Sequence, residues 1–197
     1  MNTKRVKDPE FAVPPLKLNL WLLMVGSLML FAAFLSAFIV HKPDAEMKQT
    51  WTSFDLPIYF FYSVLIVIAS SVTIYYAYQM AKKDELSANK WLIFATLILG
   101  ILFCWSQYMG WKQLVALDLT FVNARPEDIS ASYVYVISAL HVLHVVGGII
   151  LLSVSWIQSI KLNVHKKNLN LMSITHTYWH FVGILWIFLY LFLYFAK

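Results

Sequence analysis

Long apolar stretches separated by short polar ones run the whole length of the chain. Five of them, at about 18–40, 56–81, 91–117, 132–157 and 174–196, are long enough to matter. A hydrocarbon core roughly 30 Å thick is crossed by about 20 helical residues, so each stretch predicts one membrane span. The expected fold is therefore all-α, an integral membrane bundle of five transmembrane helices. Residues 1–197 form a single transmembrane domain, because no connection is long enough to fold by itself.

The polar connections predict the orientation. Lys4, Arg5, Lys7 and Lys17 precede the first span. Lys82, Lys83 and Lys90 join the second to the third, and Lys161, Lys166 and Lys167 join the fourth to the fifth. These ten of the fifteen basic residues fall on one face, against Lys42, Lys48, Lys112, Arg125 and Lys197 on or near the other. The excess of positive charge on short cytoplasmic segments puts the N-terminus in the cytoplasm and the C-terminus on the periplasmic side. A long polar lead with Pro9, Pro14 and Pro15 and no small-residue cleavage pattern makes the first span a retained anchor rather than a signal peptide.

Composition agrees with the pattern: 60% hydrophobic, 17% aromatic and 13% charged residues, with a mean hydropathy of +0.68. That excludes an ordinary soluble domain. The net charge of +5 is scattered over connections, so it is topogenic and no nucleic acid partner is expected. The single cysteine, Cys104, excludes an intrachain disulfide, a CxxC pair and a cysteine-rich zinc site. All six glycines, Gly26, Gly100, Gly110, Gly147, Gly148 and Gly183, fall inside spans, where small residues let helices approach closely. Ser70, Ser71 and Thr73 are expected to bond to their own helix or to a neighbour.

Candidate chemistry is sparse. All ten acidic residues lie outside the spans and only Lys112 is basic within one. Ion-coupled transporters build their paths from intramembrane charges and broken helices, which argues against independent transport. The polar residues that remain are chiefly His141 and His144 on the fourth span and His176 and His180 on the fifth. His141 and His144 are three apart and share a face. Counting along antiparallel helices puts His141 and His180 roughly 15 Å apart in depth, and His144 and His180 roughly 10 Å, so they are not expected to share an ion or a haem. No catalytic residue, metal site or cofactor site is expected on this chain. The histidines are expected to bond to neighbouring helices, partner subunits or lipid headgroups. Trp21, Trp51, Trp91, Trp111, Trp156, Tyr75, Tyr76 and Tyr78 read mostly as interface anchors.

The run YWHFVGILWIFLYLFLY in the last span resembles a signature of subunit III of the haem–copper cytochrome c and quinol oxidases. The paired-histidine segment SALHVLHVVGGIILL in the fourth span is a second match. SSVTIYYA in the second span, Gln107 in the third and LWLLMVGSLMLFAAFLSAFIV in the first are weaker ones, and together they cover all five spans in order. The resemblance implies the short five-helix form of a non-catalytic subunit. Such a subunit binds catalytic subunit I and a copper-binding subunit II, holds phospholipid, and leaves haem and copper to its partners. It also implies a bacterial cytoplasmic (inner) membrane, aerobic respiratory electron transport by a proton-pumping oxidase, and a supercomplex with a quinol-oxidising complex as a further assembly. Carried over residue by residue, it makes His141, His144, Trp179 and His180 positions of lipid or subunit contact, and Gly147 and Gly148 packing positions.

Three family carboxylates are absent: Ser27, Gly110 and Gly183 stand where the pattern has acids. Roles of those acids in proton uptake or lipid contact do not carry over. Within the family the cytochrome c type is favoured over the quinol type, and an accessory subunit of a nitric oxide reductase is the alternative. From a different class, an independent b-type cytochrome or a small transporter rests on the four histidines alone.

Overall fold

The computed structural model describes residues 15–51, 53–121, 129–161 and 169–196. They form five α-helices: α1 (Pro15–Met47), α2 (Ile58–Lys82), α3 (Leu86–Ala116), α4 (Ile129–Ile160) and α5 (Asn170–Ala196). Each is long and apolar enough to cross a membrane, and no strand occurs among the described residues. At 25 to 33 residues, the helices measure about 37–50 Å, longer than a hydrocarbon core. This explains why α1, α3, α4 and α5 run longer than the expected spans, whereas α2 is no longer than its own. Hydropathy marks only the part in hydrocarbon, whereas α1 continues through Lys42, Pro43, Asp44 and Glu46. Pro43, inside α1, has no N–H to give the carbonyl of Ile39 four residues back, so one rung of the helix is missing near its end.

Three helix ends share one device. Gln49, Asp84 and Asp118 adopt φ of 56°, 59° and 62°, the left-handed conformation in which helices stop. Just beyond each, a backbone N–H reaches back five residues: Thr50 to Ala45 O at 2.9 Å, Glu85 to Met80 O at 3.0 Å and Leu119 to Leu114 O at 3.1 Å. These close α1, α2 and α3 in Schellman fashion. Asp accepts the left-handed conformation more readily than most residues. Every glycine meanwhile stays inside a helix, where small size is what counts.

Helices α2, α3, α4 and α5 close a ring in which each packs on the next and α5 returns to α2, while α1 leans on α4 and α5 alone. Its inward stripe is Leu20, Met24, Ser27, Phe31, Leu35 and Phe38, a spacing of three and four that makes a narrow seam. Most of the remainder of α1 is exposed, including Trp21, Leu22, Val25 and Met29, apart from buried Ala45 near its end. Lys42 Nζ donates to Ala196 O at 2.8 Å, tying the far end of α1 to the end of α5.

The glycines act differently from expectation. At Gly100, Gly110 and Gly148 the space is taken by aromatic rings rather than by helix backbones. A Cβ on Gly100 would lie 2.8 Å from Trp179 Cη2 and one on Gly148 3.0 Å from Trp179 Cε3, so the indole sits in a notch between α3 and α4. Gly110 takes the ring of Phe60 in the same way, while Gly183 faces Val67 and Ser71. Gly147 has only ordinary contact with the Tyr178 hydroxyl, and Gly26 faces open space. Close packing therefore does not extend to Gly26.

Candidate functional site

The polar groups of the spans concentrate where α5 meets the other helices. Trp179 and Trp186 stand seven residues apart, two turns, and so point the same way. Ser70 and Ser63 have the same spacing on antiparallel α2. The two pairs meet rung by rung: Trp179 Nε1 donates to Ser70 Oγ at 3.1 Å and Trp186 Nε1 to Ser63 Oγ at 2.8 Å. Each serine donates its own proton three residues back, to Val67 O at 2.8 Å and Phe60 O at 2.6 Å. Gln107 Nε2 adds a second donor to Ser63 Oγ at 2.9 Å. Every donor in this ladder has an acceptor, as a low-dielectric interior demands. A spacing of seven in both segments was the available signal, and expectation took the serines only singly.

Other rungs flank it. Thr73 and Thr96 hydroxyls lie 2.8 Å apart and Ser155 and Thr175 hydroxyls 2.7 Å. Fully buried Asn89 donates to Ala77 O and accepts from Ser159 Oγ, joining α2, α3 and α4. Trp111 Nε1 donates to Ser138 Oγ at 2.9 Å. It is thus an internal tie rather than an interface anchor, whereas Trp21 and Trp91 are exposed as anchors should be.

The four histidines separate into three environments. His141 is 0% exposed, stacked on Trp186 with centroids 4.9 Å apart and set edge-on to Phe103 at 5.6 Å. Its ring therefore packs wholly within the bundle of the described chain. Trp179, 6% exposed, is likewise an interior residue. Neither ring nitrogen of His141 has a hydrogen-bond partner within the described chain. His144, half-buried on the same face, meets Ser27 at 3.0 Å, and Phe31 contacts both imidazoles. Ser27 is 5% exposed, so the place of the absent glutamate faces α4 rather than lipid.

His176 and His180 pair with each other, Nε2 to Nε2, at 3.2 Å. His141 lies level with Trp186, six residues along α5 from His180 and hence about 9 Å away in depth. Depth counting placed them further apart because it took no account of how α4 and α5 slide past each other. Among the described residues no three His, Cys, Asp or Glu side chains form a metal-binding group.

Two apolar surfaces open outward. A groove of about 500 Å³ runs between α1 and α5, lined by Leu28, Phe31, Leu35, Leu185, Phe188 and Phe192 among others. A second of similar volume lies between the start of α2 and the end of α5, edged by Asp55, Tyr190 and Tyr194.

Five apolar helices tied to one another by hydrogen bonds between interior polar side chains define a multi-pass membrane protein. A family profile described as cytochrome c oxidase subunit III matches residues 7–197. The chain belongs to that family, and is thereby a subunit of a haem–copper oxidase complex. It is similar to cytochrome c oxidase subunit 3 of Bacillus sp. (strain PS3), 25% identical with 88% of this chain and 82% of the relative covered. The corresponding subunit of Thermostichus vulcanus is 26% identical, with 95% and 89% covered. A probable quinol oxidase subunit 3 of Staphylococcus saprophyticus is also 26% identical, with 88% and 85% covered.

Proposed function

We propose that this chain is the structural, lipid-holding subunit of a proton-pumping oxygen reductase that oxidises cytochrome c. In this reading it sits in a bacterial inner membrane with its N-terminus in the cytoplasm. Haem and copper belong to catalytic subunit I and to subunit II, and this chain covers a flank of subunit I. Supporting the lipid role is the α1–α5 groove, whose walls carry no charged side chain and whose volume of about 500 Å³ lies in the size range of small-molecule sites. His144 and His180, half-buried, are the histidines left to meet headgroups or partners; His141 and Trp179 support the bundle from within.

Names among the relatives support the donor assignment unequally: relatives called cytochrome c oxidase subunit 3 stand beside a probable quinol oxidase subunit 3 at the same identity. A cytochrome c donor is our reading, and a quinol donor is the second. Gentle purification of the membrane complex, with mass spectrometry of its subunits and extracted lipids, tests all of it. A copper-binding subunit II and retained phospholipid are expected. A quinol-type subunit II without copper ligands would overturn the donor, and a nitric oxide reductase catalytic chain would overturn the oxygen chemistry. Co-purification of a quinol-oxidising complex would extend the reading to a supercomplex.

A further inference from the structure

The packing and lipid reading gives His176 no task and takes His180 alone as a headgroup or partner contact. They lie one turn apart on α5, both half-buried, with Nε2 atoms 3.2 Å apart and ring centroids at 4.5 Å. His176 is six residues into α5, about 9 Å from its start, at the end of the bundle that carries the α2–α3 turn. There Tyr78 stacks on His176 at 4.6 Å, Tyr75 approaches the same ring at 6.5 Å, and Lys82 Nζ lies 4.3 Å from the Tyr78 centroid.

An N···N separation of 3.2 Å is that of one hydrogen bond, the Nε2–H of one ring donating to the lone pair of the other. It is also close to what a chelate requires. Two imidazole nitrogens about 2.05 Å from a tetrahedral ion lie about 3.3 Å from each other. Histidines four apart on a helix are the spacing by which paired imidazoles grip zinc. Passing from the hydrogen-bonded to the chelating arrangement needs only a small ring rotation and a tautomer change: the donor ring moves its proton from Nε2 to Nδ1, leaving both Nε2 lone pairs free.

We propose that His176 and His180 form a two-imidazole chelate for a borderline divalent transition-metal ion such as Zn²⁺. This goes beyond the subunit reading and stands independently of it. The expectation that no ion is held rested on mismatched depths between α4 and α5, and a pair within one helix escapes that objection. Among the described residues no third His, Cys, Asp or Glu joins the pair, so water or a partner chain completes the coordination. Lys82 opposes a cation and Tyr78 and Tyr75 are neutral neighbours, which makes the site weak and reversible rather than a permanent structural centre. Occupied, it would staple the first turns of α5.

The full-length chain in detergent, titrated calorimetrically with Zn²⁺ alone, tests this with His176→Gln, His180→Gln, the double variant and His41→Gln as a control. Wild type and control are expected to bind one more ion than the double variant. Each single change should weaken that site about ten-fold or more, and the double, which removes both ligands, should abolish it. Added Cu²⁺ should show hyperfine coupling to two imidazole nitrogens in the wild type and lose that pattern in each single variant. Zn²⁺ affinity unchanged in every variant, loss in only one of the two singles, or loss in the control overturns the proposal. Circular dichroism of each variant separates lost binding from lost folding: a single variant that is folded and still chelates with two nitrogens refutes it outright.

Discussion

Ser27 on α1 and His144 on α4 meet across 3.0 Å, joining the outlying helix to the four-helix ring within its apolar length. The tautomer follows from the other partner. His144 Nδ1 lies 2.8 Å from Leu140 O, and a carbonyl only accepts, so Nδ1 carries the proton and Nε2 offers its lone pair. The Ser27 hydroxyl therefore donates to His144, sharing its single proton with Leu23 O at 2.8 Å.

A double-mutant cycle with Ser27→Ala and His144→Phe should give a coupling of about 0.6 kcal/mol, the usual size for hydrogen bonds between membrane helices. Unfolding in mixed micelles measures it. Zero coupling would mean that the contact contributes nothing to holding α1.

Carbodiimides are hydrophobic and attack protonated carboxyls, so the native spans should remain unlabelled. The acidic residues within α1 near its end are ion-paired, Asp44 with Lys48 at 2.7 Å and Glu46 with Lys42 at 3.7 Å. Ser27→Glu would create a carboxyl facing the His144 Nε2 lone pair, which can accept the acid's proton and so withhold it from the reagent. We expect weak labelling in Ser27→Glu and stronger labelling once His144→Leu removes the partner. Peptide mass spectrometry reads both; strong labelling of the single variant would show that residue 27 is reached from lipid.

How much of this was legible without coordinates follows from what lipid does to sequence patterns. Span number and order could be read, because hydrocarbon demands long apolar runs. Which side of each helix faces inward could not, because both sides are apolar: exposed Leu22 and Val25 are chemically indistinguishable from buried Leu20 and Met24. Only polar residues mark the interior, and they do so in pairs. Ser63 with Trp186 and Ser70 with Trp179 become informative once α2 and α5 are known to be adjacent. The histidines were identified, but their roles depend on the offset between α4 and α5, which no count along one helix supplies. The His176–His180 pair was the exception, since both members sit on one helix.

His141 offers a cleaner test of buried polarity. Its ring is enclosed by Trp186, Phe103 and Phe31, and its nitrogens find no partner in the described chain. An unpaired polar group in an apolar site costs about 1–3 kcal/mol. His141→Phe, similar in size, should therefore leave stability unchanged or raise it by about 1 kcal/mol, whereas His141→Ala should lose about 2–4 kcal/mol by opening a cavity. Thermal or detergent-induced unfolding of the three proteins gives the order. A drop for His141→Phe as large as for His141→Ala would reveal that the nitrogens make a bond worth more than the burial they cost.

The glycines predict a graded series. Gly110→Ala should be the most damaging, since a methyl there enters the ring of Phe60, itself fully buried and held edge-on to Trp186 at 5.8 Å. Yielding would disturb the Trp186–Ser63 rung behind it. Over-packing of this kind costs about 1–3 kcal/mol. Gly100→Ala and Gly148→Ala should come next, because each pushes Trp179 from one side at 2.8 or 3.0 Å and strains its bond to Ser70. Combined, the two should cost more than their sum, for the indole can give way toward one helix but not toward both. Gly26→Ala, mid-helix and facing open space, should leave stability intact or raise it by up to about 1 kcal/mol through helix propensity. Indole fluorescence should report the same order, shifting as Trp179 or Trp186 is dislodged. If Gly26→Ala proves as harmful as Gly110→Ala in the isolated chain, α1 must pack more closely than its open flank indicates. If the harm appears only in the assembled complex, the flank is where a partner subunit presses.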